Sequence, residues 1–168
     1  MSGDELVDIV DEEDRVVGRA TRAEMRRANL LHRNVAILCR DRAGRIYIHR
    51  RSPTKDVYPS RYDMFTAGVV ASGETYAAAA VRELAEELGI TGVQLEALFR
   101  HRYADEHTRT HTVVYRVEWN GPITHQASEI DWGGYRTREQ LVLNREGFDF
   151  VPDGVELFTR YIAEYPTD

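Results

Sequence analysis

The segment Gly68–Ile90, GVVASGETYAAAAVRELAEELGI, contains the most strongly helical stretch of the sequence and its densest group of carboxylates. Residues 75–88 are rich in Ala, Leu, Glu and Arg and are followed by glycine, a composition and an ending typical of an α-helix. Within five residues lie Glu83, Glu86 and Glu87, and like charges at such spacing repel by a few tenths of a kcal/mol. Either solvent screens these charges, or a cation binds between them.

The predicted helix has one apolar face, because about 100° of rotation per residue brings together Ala77, Val81, Leu84 and Leu88. The three glutamates are predicted to lie on roughly the opposite face, away from the core. A solvated acidic face is the ordinary explanation for such a group. The alternative is a hard divalent cation, since Mg²⁺ and Mn²⁺ prefer oxygen ligands and neighbouring carboxylates supply them with little reorganisation.

The residues before the helix decide between these two explanations. Gly68 is followed by five residues and Glu74, then by seven residues and the pattern Arg-Glu-apolar-any-Glu-Glu-any-Gly-apolar, which ends at Ile90. This spacing resembles the Nudix box at every fixed position, and a chance match is on the order of one in ten million. The chain is therefore identified as a member of the MutT-like Nudix hydrolase superfamily, with its box at residues 68–90.

The resemblance implies a metal site on the helix. Its ligands would be Glu83, Glu86 and Glu87, joined by the main-chain carbonyl of Gly68, where a missing side chain permits close approach. The cofactor would be Mg²⁺, for which Mn²⁺ can substitute. Ions held in this way neutralise the charge of a diphosphate and activate water for in-line attack on phosphorus.

The remaining fixed residues of the box would support this site. Arg82, which the resemblance assigns to catalysis together with Glu83, would orient a glutamate. Glu74 would brace the loop before the helix through its contact with Arg82. Two glycines have structural roles in the motif: Gly73 lets the loop turn sharply, and Gly89 ends the helix.

Two groups outside the box resemble parts of the substrate site in the family. The basic stretch RRSPTK supplies Arg50, Arg51 and Lys55, which would bind the phosphates of the substrate; a solvated strand end is the alternative. Glu129 opens a later strand and resembles the glutamate that binds metal or serves as the base in some relatives. Loops at residues 52–63 and 104–110 would determine which group is attached to the diphosphate.

The N-terminal part of the chain resembles the branch of the family that includes isopentenyl-diphosphate isomerase. That enzyme needs a cysteine near the start of the box and a glutamate on a later strand. The stretches RYDMFTAGVV and THTVVYRV have neither, and of the isomerase's metal-binding histidines only His32 has a counterpart. Hydrolysis of a nucleoside-diphosphate-type compound is therefore favoured over isomerase activity, and the intact box argues against a non-catalytic nucleotide-sensing module.

Length and charge limit the class of protein. The 168 residues suit one domain, 1–168, in which residues 5–30 form a hairpin and a short helix. A net charge of −6 argues against binding to a nucleic-acid polymer, so the expected partner is a small diphosphate compound. The acidic start, the lack of a long apolar run and a single cysteine, Cys39, predict a cytoplasmic protein without a membrane segment. The resemblance also implies that a homodimer is a common assembly.

The order of strand and helix signals predicts an α+β fold with a mixed β-sheet sandwiched between helices. Cys39 lies in the apolar run VAILC and is expected to be a buried, reduced thiol. A last helix near the C-terminus is predicted to place on its buried face Val155, Phe158, Ile162 and Tyr165.

Overall fold

The computed structural model describes residues 3–167. In chain order its elements are β1 (Leu6–Val10), β2 (Val16–Thr21), α1 (Arg22–Arg27), β3 (His32–Arg40), β4 (Ile46–Arg51), β5 (Tyr62–Asp63), β6 (Thr66–Val69), α2 (Tyr76–Leu88), β7 (Glu96–Ala104), β8 (Arg109–Glu118), β9 (Ile130–Arg136), α3 (Arg138–Leu143) and α4 (Pro152–Glu164). The described helices include none with the length and apolar character that crossing a membrane requires.

The strands form one mixed sheet in which β3 is central. β3 pairs antiparallel with β6, where Val35 lies opposite Gly68, and parallel with β8, where Val35 lies opposite Val113. β8 continues to β7, while β4 carries β5 and β9. The box strand β6 is therefore fixed directly to the middle of the sheet, a rigid support for the helix that follows it.

Alternate residues of β3 face opposite sides of the sheet, as the pleat of a strand requires. Val35, Ile37 and Cys39 pack in the core beneath α2, whereas Ala36 and Leu38 pack in the core beneath α3 and α4. The predicted α+β fold, a mixed sheet between helices, is confirmed. Cys39 is buried as expected, and burial raises the pKa of its thiol to about 12.

The predicted apolar face of α2 is wrong for two residues. Ala77 is exposed and Val81 is 50% exposed. The buried residues of the helix are Ala79, Ala80, Glu83, Leu84, Glu87 and Leu88. The buried arc is thus rotated by roughly a quarter of a turn from the prediction, because alanines adjacent in sequence carry no information about direction.

This rotation also corrects the position of the glutamates. Glu83 and Glu87 belong to the buried side of α2, which packs against β3 and β6, and only Glu86 is exposed. The helix begins at the N-cap Thr75, whose side chain accepts a hydrogen bond from the Ala78 amide, and it ends at Gly89 with φ of 67°. Two of the three carboxylates are therefore held inside the protein rather than on a solvated face.

The last helix also differs in detail from its prediction. α4 buries Phe158 as expected, but its other buried residues are Gly154, Leu157 and Tyr161. Val155 is 44% exposed, so its predicted place on the buried face is wrong. The helix begins at Pro152 because proline suits the first turn, where its missing N–H costs no hydrogen bond.

Candidate active site

A polar cavity of about 90 Å³ lies where α1, β6, α2 and the loop after β4 meet. Its lining includes four of the predicted carboxylates and two of the predicted cations: Glu83, Glu86, Glu87, Glu129, Arg51 and Lys55. Gly68 lines it as well. Chain segments far apart in sequence thus converge on one pocket.

Arg82 connects the loop of the box to its carboxylates. Its Nε and Nη2 donate to the two carboxylate oxygens of Glu74, each at 3.0 Å, and Nη2 also donates to the Val69 carbonyl at 3.1 Å. Its Nη1 donates to Glu83 Oε1 at 2.6 Å. Hydrogen bonding to Glu74, together with the charge of Glu83, raises the pKa of Arg82. Arg82 thus contacts both Glu74 and Glu83, the glutamates on which its predicted role depends.

Gly68 leaves room for the Glu83 carboxylate. A Cβ at position 68 would lie 2.0 Å from Glu83 Cδ and 2.1 Å from Glu83 Oε1. At position 73, in contrast, the backbone conformation favours glycine, because φ is 77° and other residues rarely adopt it. Space is not the reason, since no atom lies within 4 Å of a Cβ built there. Glycine is therefore needed at these two positions for different reasons: space at Gly68 and backbone conformation at Gly73.

We expect Gly68→Ala to lower kcat by at least about tenfold, because the new methyl group must displace the Glu83 carboxylate from the wall of the cavity. The matched control is Gly18→Ala in strand β2, where a Cβ would meet nothing within 4 Å. Steady-state rates and thermal melting of both variants are the measurement. Wild-type kcat in folded Gly68→Ala would contradict this role for Gly68.

Burial is the main influence on the two inner glutamates. Glu83 is 7% and Glu87 5% exposed. Burial raises the pKa of both carboxyls, and the neighbouring Glu83 charge adds to the rise at Glu87, whose pKa reaches about 8. Buried carboxylates this close together are costly to ionise unless a cation is near.

The donor set fits a hard divalent cation. It consists of oxygen atoms from Glu83, Glu86, Glu87 and the Gly68 main chain, which Mg²⁺ and Mn²⁺ prefer. Within residues 3–167, no three acidic, histidine or cysteine side chains already surround a common point. Glu83 accepts a hydrogen bond from Arg82, and Glu129 is paired with Lys55. Lys55 would have to leave Glu129 before that carboxylate could face an ion or a water molecule.

The predicted basic residues divide into two groups. Lys55 forms an ion pair with Glu129 inside the cavity. Arg51 lines the cavity and donates to the main-chain carbonyls of Val57 and Tyr58, at 2.8 Å for Nη2 to Val57, so it also shapes the loop. Arg50 points elsewhere: its Nε lies 2.7 Å from Asp131 Oδ1 at the surface, and it is not among the residues that line the cavity. The structure therefore does not bring Arg50 together with Arg51 and Lys55 at the cavity, where the sequence predicted all three.

The sequence prediction missed several residues of the cavity. Arg22 and Arg26 reach it from α1, Asp56 from the loop, and Asp63 and Asp153 from β5 and α4. Burial and the nearby Asp153 raise the pKa of Asp63 to about 7, and burial likewise raises that of Asp153. Asp56 and Asp63 lie in the loop 52–63 that was predicted to set specificity, although neither was named. For Arg22 and Arg26 the only signal was the capping box that predicted α1, and it does not tell where the helix docks.

His32 also lines the cavity and is 1% exposed. Its Nδ1 lies 2.8 Å from the Leu30 carbonyl, so this nitrogen carries the proton and donates. Burial lowers the pKa of His32 to about 3, which keeps the ring neutral. The ring is held by the main chain of its own segment.

The two loops predicted to set specificity meet beside the cavity. Tyr58 donates a hydrogen bond to Asp105, whose carboxylate also accepts from Tyr103. An open cleft of about 490 Å³ lies between the loops and shares Asp56, Val57 and Tyr58 with the cavity. A group attached to a bound diphosphate has room in this cleft.

Comparison with known proteins shows the family of this chain. The model of the NUDIX domain family matches residues 30–152. An uncharacterized Nudix hydrolase of Streptomyces coelicolor is 44% identical over 164 residues, which cover 96% of this chain and 91% of that protein. An uncharacterized Nudix hydrolase of Pseudomonas aeruginosa is 34% identical over 158 residues, 94% of each chain.

Solved structures agree with these matches. The crystal structure of a protein from Deinococcus radiodurans superimposes with a TM-score of 0.82 at 30% identity and covers 93% of this chain and 98% of its own. The NUDIX domain of Shewanella oneidensis NrtR, solved in complex with ADP ribose, shares the fold at 14% identity with a TM-score of 0.62, covering 86% and 99% of the two chains. Since the family model spans most of the chain and a 44% identical relative covers nearly all of it, the chain belongs to the Nudix hydrolase family.

Proposed function

We propose that the protein is a Mg²⁺-dependent hydrolase of a nucleoside-diphosphate-type compound, with Mn²⁺ able to replace Mg²⁺. The observation that carries the proposal is the buried pair Glu83 and Glu87, which lines a cavity that also contains four basic side chains. Carboxylates for a cation and guanidinium groups for phosphate oxygens are the two requirements of phosphoryl transfer to water. The relatives that share the chain's full length are named Nudix hydrolases.

The residues take the following roles in this proposal. Glu83, Glu86, Glu87 and the Gly68 carbonyl would hold the ion, which would supply charge neutralisation and lower the pKa of water. Arg82 keeps Glu83 in place through its bond at 2.6 Å, and Glu74 keeps Arg82 in place. Arg51 and Lys55 bind phosphate oxygens. Together these residues position the diphosphate, and a water molecule is the nucleophile that attacks phosphorus.

Glu129 is the proposed base. The turn that carries it is anchored to α2, since the Gln126 amide donates to the Glu87 carbonyl at 3.1 Å and the Glu129 amide donates to the Gln126 carbonyl at 2.9 Å. Glu129 accepts the proton of the attacking water while the new P–O bond forms and the anhydride P–O bond breaks, and the leaving phosphate departs with the electron pair. Lys55, its present ion-pair partner, is released to the phosphates. The cytoplasmic location, the single domain and the homodimer stay predictions.

We expect turnover to require millimolar Mg²⁺ or Mn²⁺ and to stop in EDTA, because the proposed ligands are all oxygen atoms. The measurement is release of phosphate or nucleoside monophosphate from a panel of nucleoside di- and triphosphates, nucleotide sugars and dinucleotides. A parallel isomerisation assay with isopentenyl diphosphate is the control for the related branch. Full turnover in EDTA, or isomerisation without hydrolysis, would contradict the proposal.

A further inference from the structure

Two neighbouring residues of the loop after β4 bind to opposite sides of the cavity. Lys55 pairs with Glu129, on the side of the box glutamates. Asp56 turns the other way, where its Oδ2 lies 2.9 Å from Arg22 Nη2 and 3.6 Å from Arg26 Nε. We call the pair Arg22 and Arg26 the arginine wall. In the substrate-free cavity, the lysine of this loop thus pairs with a glutamate and the aspartate of this loop pairs with two arginines.

The arginine wall has a hydrogen-bond donor that Asp56 leaves unsatisfied. The Arg26 side chain is 22% exposed, and its Nε is buried without a hydrogen-bond partner among residues 3–167. Its Nη1 donates to Thr108 Oγ1 at 3.3 Å. Burial, together with the charges of Arg22 and Arg51, lowers the pKa of Arg26 against the opposing charges of Asp56 and Asp153. A buried guanidinium in this state gains from an additional anion.

The helix that carries the arginines is firmly placed. Thr21 and Glu24 form a capping box at the start of α1, and Met25, 1% exposed, packs with Val7 and Val69. Val69 belongs to the box strand β6, so α1 is fixed to the strand that supports the carboxylates. Both arginines precede residue 30, where the match to the family model begins. The arginine wall is therefore a part of this cavity that the match to the domain does not include.

We propose that the arginine wall is a binding subsite for a terminal phosphate group of the substrate, and that Asp56 occupies this subsite when substrate is absent. The proposal rests on the proposed diphosphate hydrolysis at the same cavity. Two guanidinium groups and the nearby Thr108 suit a phosphate dianion with several oxygens better than the single shared oxygen of Asp56. The substrate class is thus a nucleotide with a free terminal phosphate, such as a nucleoside di- or triphosphate, rather than a diphosphate with both ends esterified.

The first test measures binding of inorganic diphosphate in EDTA by isothermal titration calorimetry. Asp56→Asn is expected to tighten binding about tenfold, because the internal competitor loses its charge. Arg22→Gln and Arg26→Gln are each expected to weaken binding about tenfold or more. The matched control is Arg27→Gln, an exposed arginine of the same helix that does not line the cavity, with unchanged affinity expected.

These outcomes are independent of turnover, so they separate this subsite from the proposed hydrolysis. Absence of any effect of Asp56→Asn, or wild-type affinity in both arginine variants, would overturn the subsite. Thermal melting identifies any variant that fails to fold; Asp56→Asn, at a half-exposed loop residue, then decides the matter alone.

A second test addresses the substrate class. Arg26→Gln is expected to lower kcat/KM for a nucleoside triphosphate at least tenfold more than for a nucleotide sugar, whose diphosphate has no free end. Equal losses on both substrates would refute the terminal-phosphate assignment.

Discussion

Replacing Glu87 by glutamine is expected to lower turnover by about two orders of magnitude or more while the protein stays folded. Glutamine keeps the size of the side chain and suits a helix nearly as well, but it removes the charge that a divalent ion requires. Loss of such a ligand or charge stabiliser is felt on this scale. Burial beside Glu83 raises the pKa of Glu87 to about 8, so the metal-free carboxyl is largely uncharged near neutral pH and glutamine resembles it closely. The free energy of unfolding in EDTA should therefore stay unchanged or rise slightly.

Initial rates in Mg²⁺ and thermal melting in EDTA check this prediction together. Glu139→Gln is the matched control, since Glu139 is an exposed helical glutamate that does not line the cavity. Wild-type rates in Glu87→Gln would show that the buried carboxylate is not a metal ligand. A loss of activity accompanied by unfolding would assign Glu87 to the architecture of the helix instead.

Leu84→Ala should have the opposite signature, a loss of stability of about 2–5 kcal/mol. Leu84 is 1% exposed and packs with Val35 and Ile37 between α2 and the sheet, where a smaller side chain leaves a cavity. Val81→Ala is the control on the same helix. Since Val81 is 50% exposed, its truncation should change stability by no more than about 0.5 kcal/mol.

Chemical denaturation in EDTA measures both variants. The pair also tests the observed orientation of α2, because the apolar pattern alone predicts burial of both residues. Similar losses for Leu84→Ala and Val81→Ala would mean that the helix packs as that pattern predicts, with the glutamates turned outward.

The turn, the helix end and the Glu74–Arg82 contact of the box were predictable, because the fixed spacing of the motif allows few backbone arrangements. Gly73 and Gly89 have the positive φ values that their positions require, and Glu74 contacts Arg82 as the resemblance implies. The fold class followed from the order of strand and helix signals, which the mixed sheet confirms. Most of the architecture could therefore be predicted from local sequence patterns and the spacing of the motif.

The direction of α2 was not predictable from the same pattern. Its first turns are alanines, which give no preference for either side, and Glu83 and Glu87 occupy the middle of the buried arc. A periodicity argument counts carboxylates as solvent-facing, yet these two are buried beside the cavity. In this helix the demands of a site outweigh the usual partition of polar and apolar residues.

The arginine wall and Arg50 show a second limit. Arg22 and Arg26 reach the cavity only because α1 docks on β6 through Met25, a contact between segments far apart in sequence. Arg50 and Arg51 are adjacent, and neighbouring residues of a strand point to opposite faces, so only one of them can face the cavity. The basic stretch indicated that a basic side chain faces the cavity, but it did not indicate which of the two arginines does so.

The parallel pairing of β3 with β8 has a consequence for how the protein folds. Val35 and Val113 are partners although 77 residues separate them, and every rung of this pairing needs that long loop to close first. Such non-local contacts slow folding. We therefore expect α2 to gain helical structure early and the sheet beneath it late. A chain that ends before β8 would contain the complete box sequence but would lack the complete sheet against which α2 and its carboxylates pack.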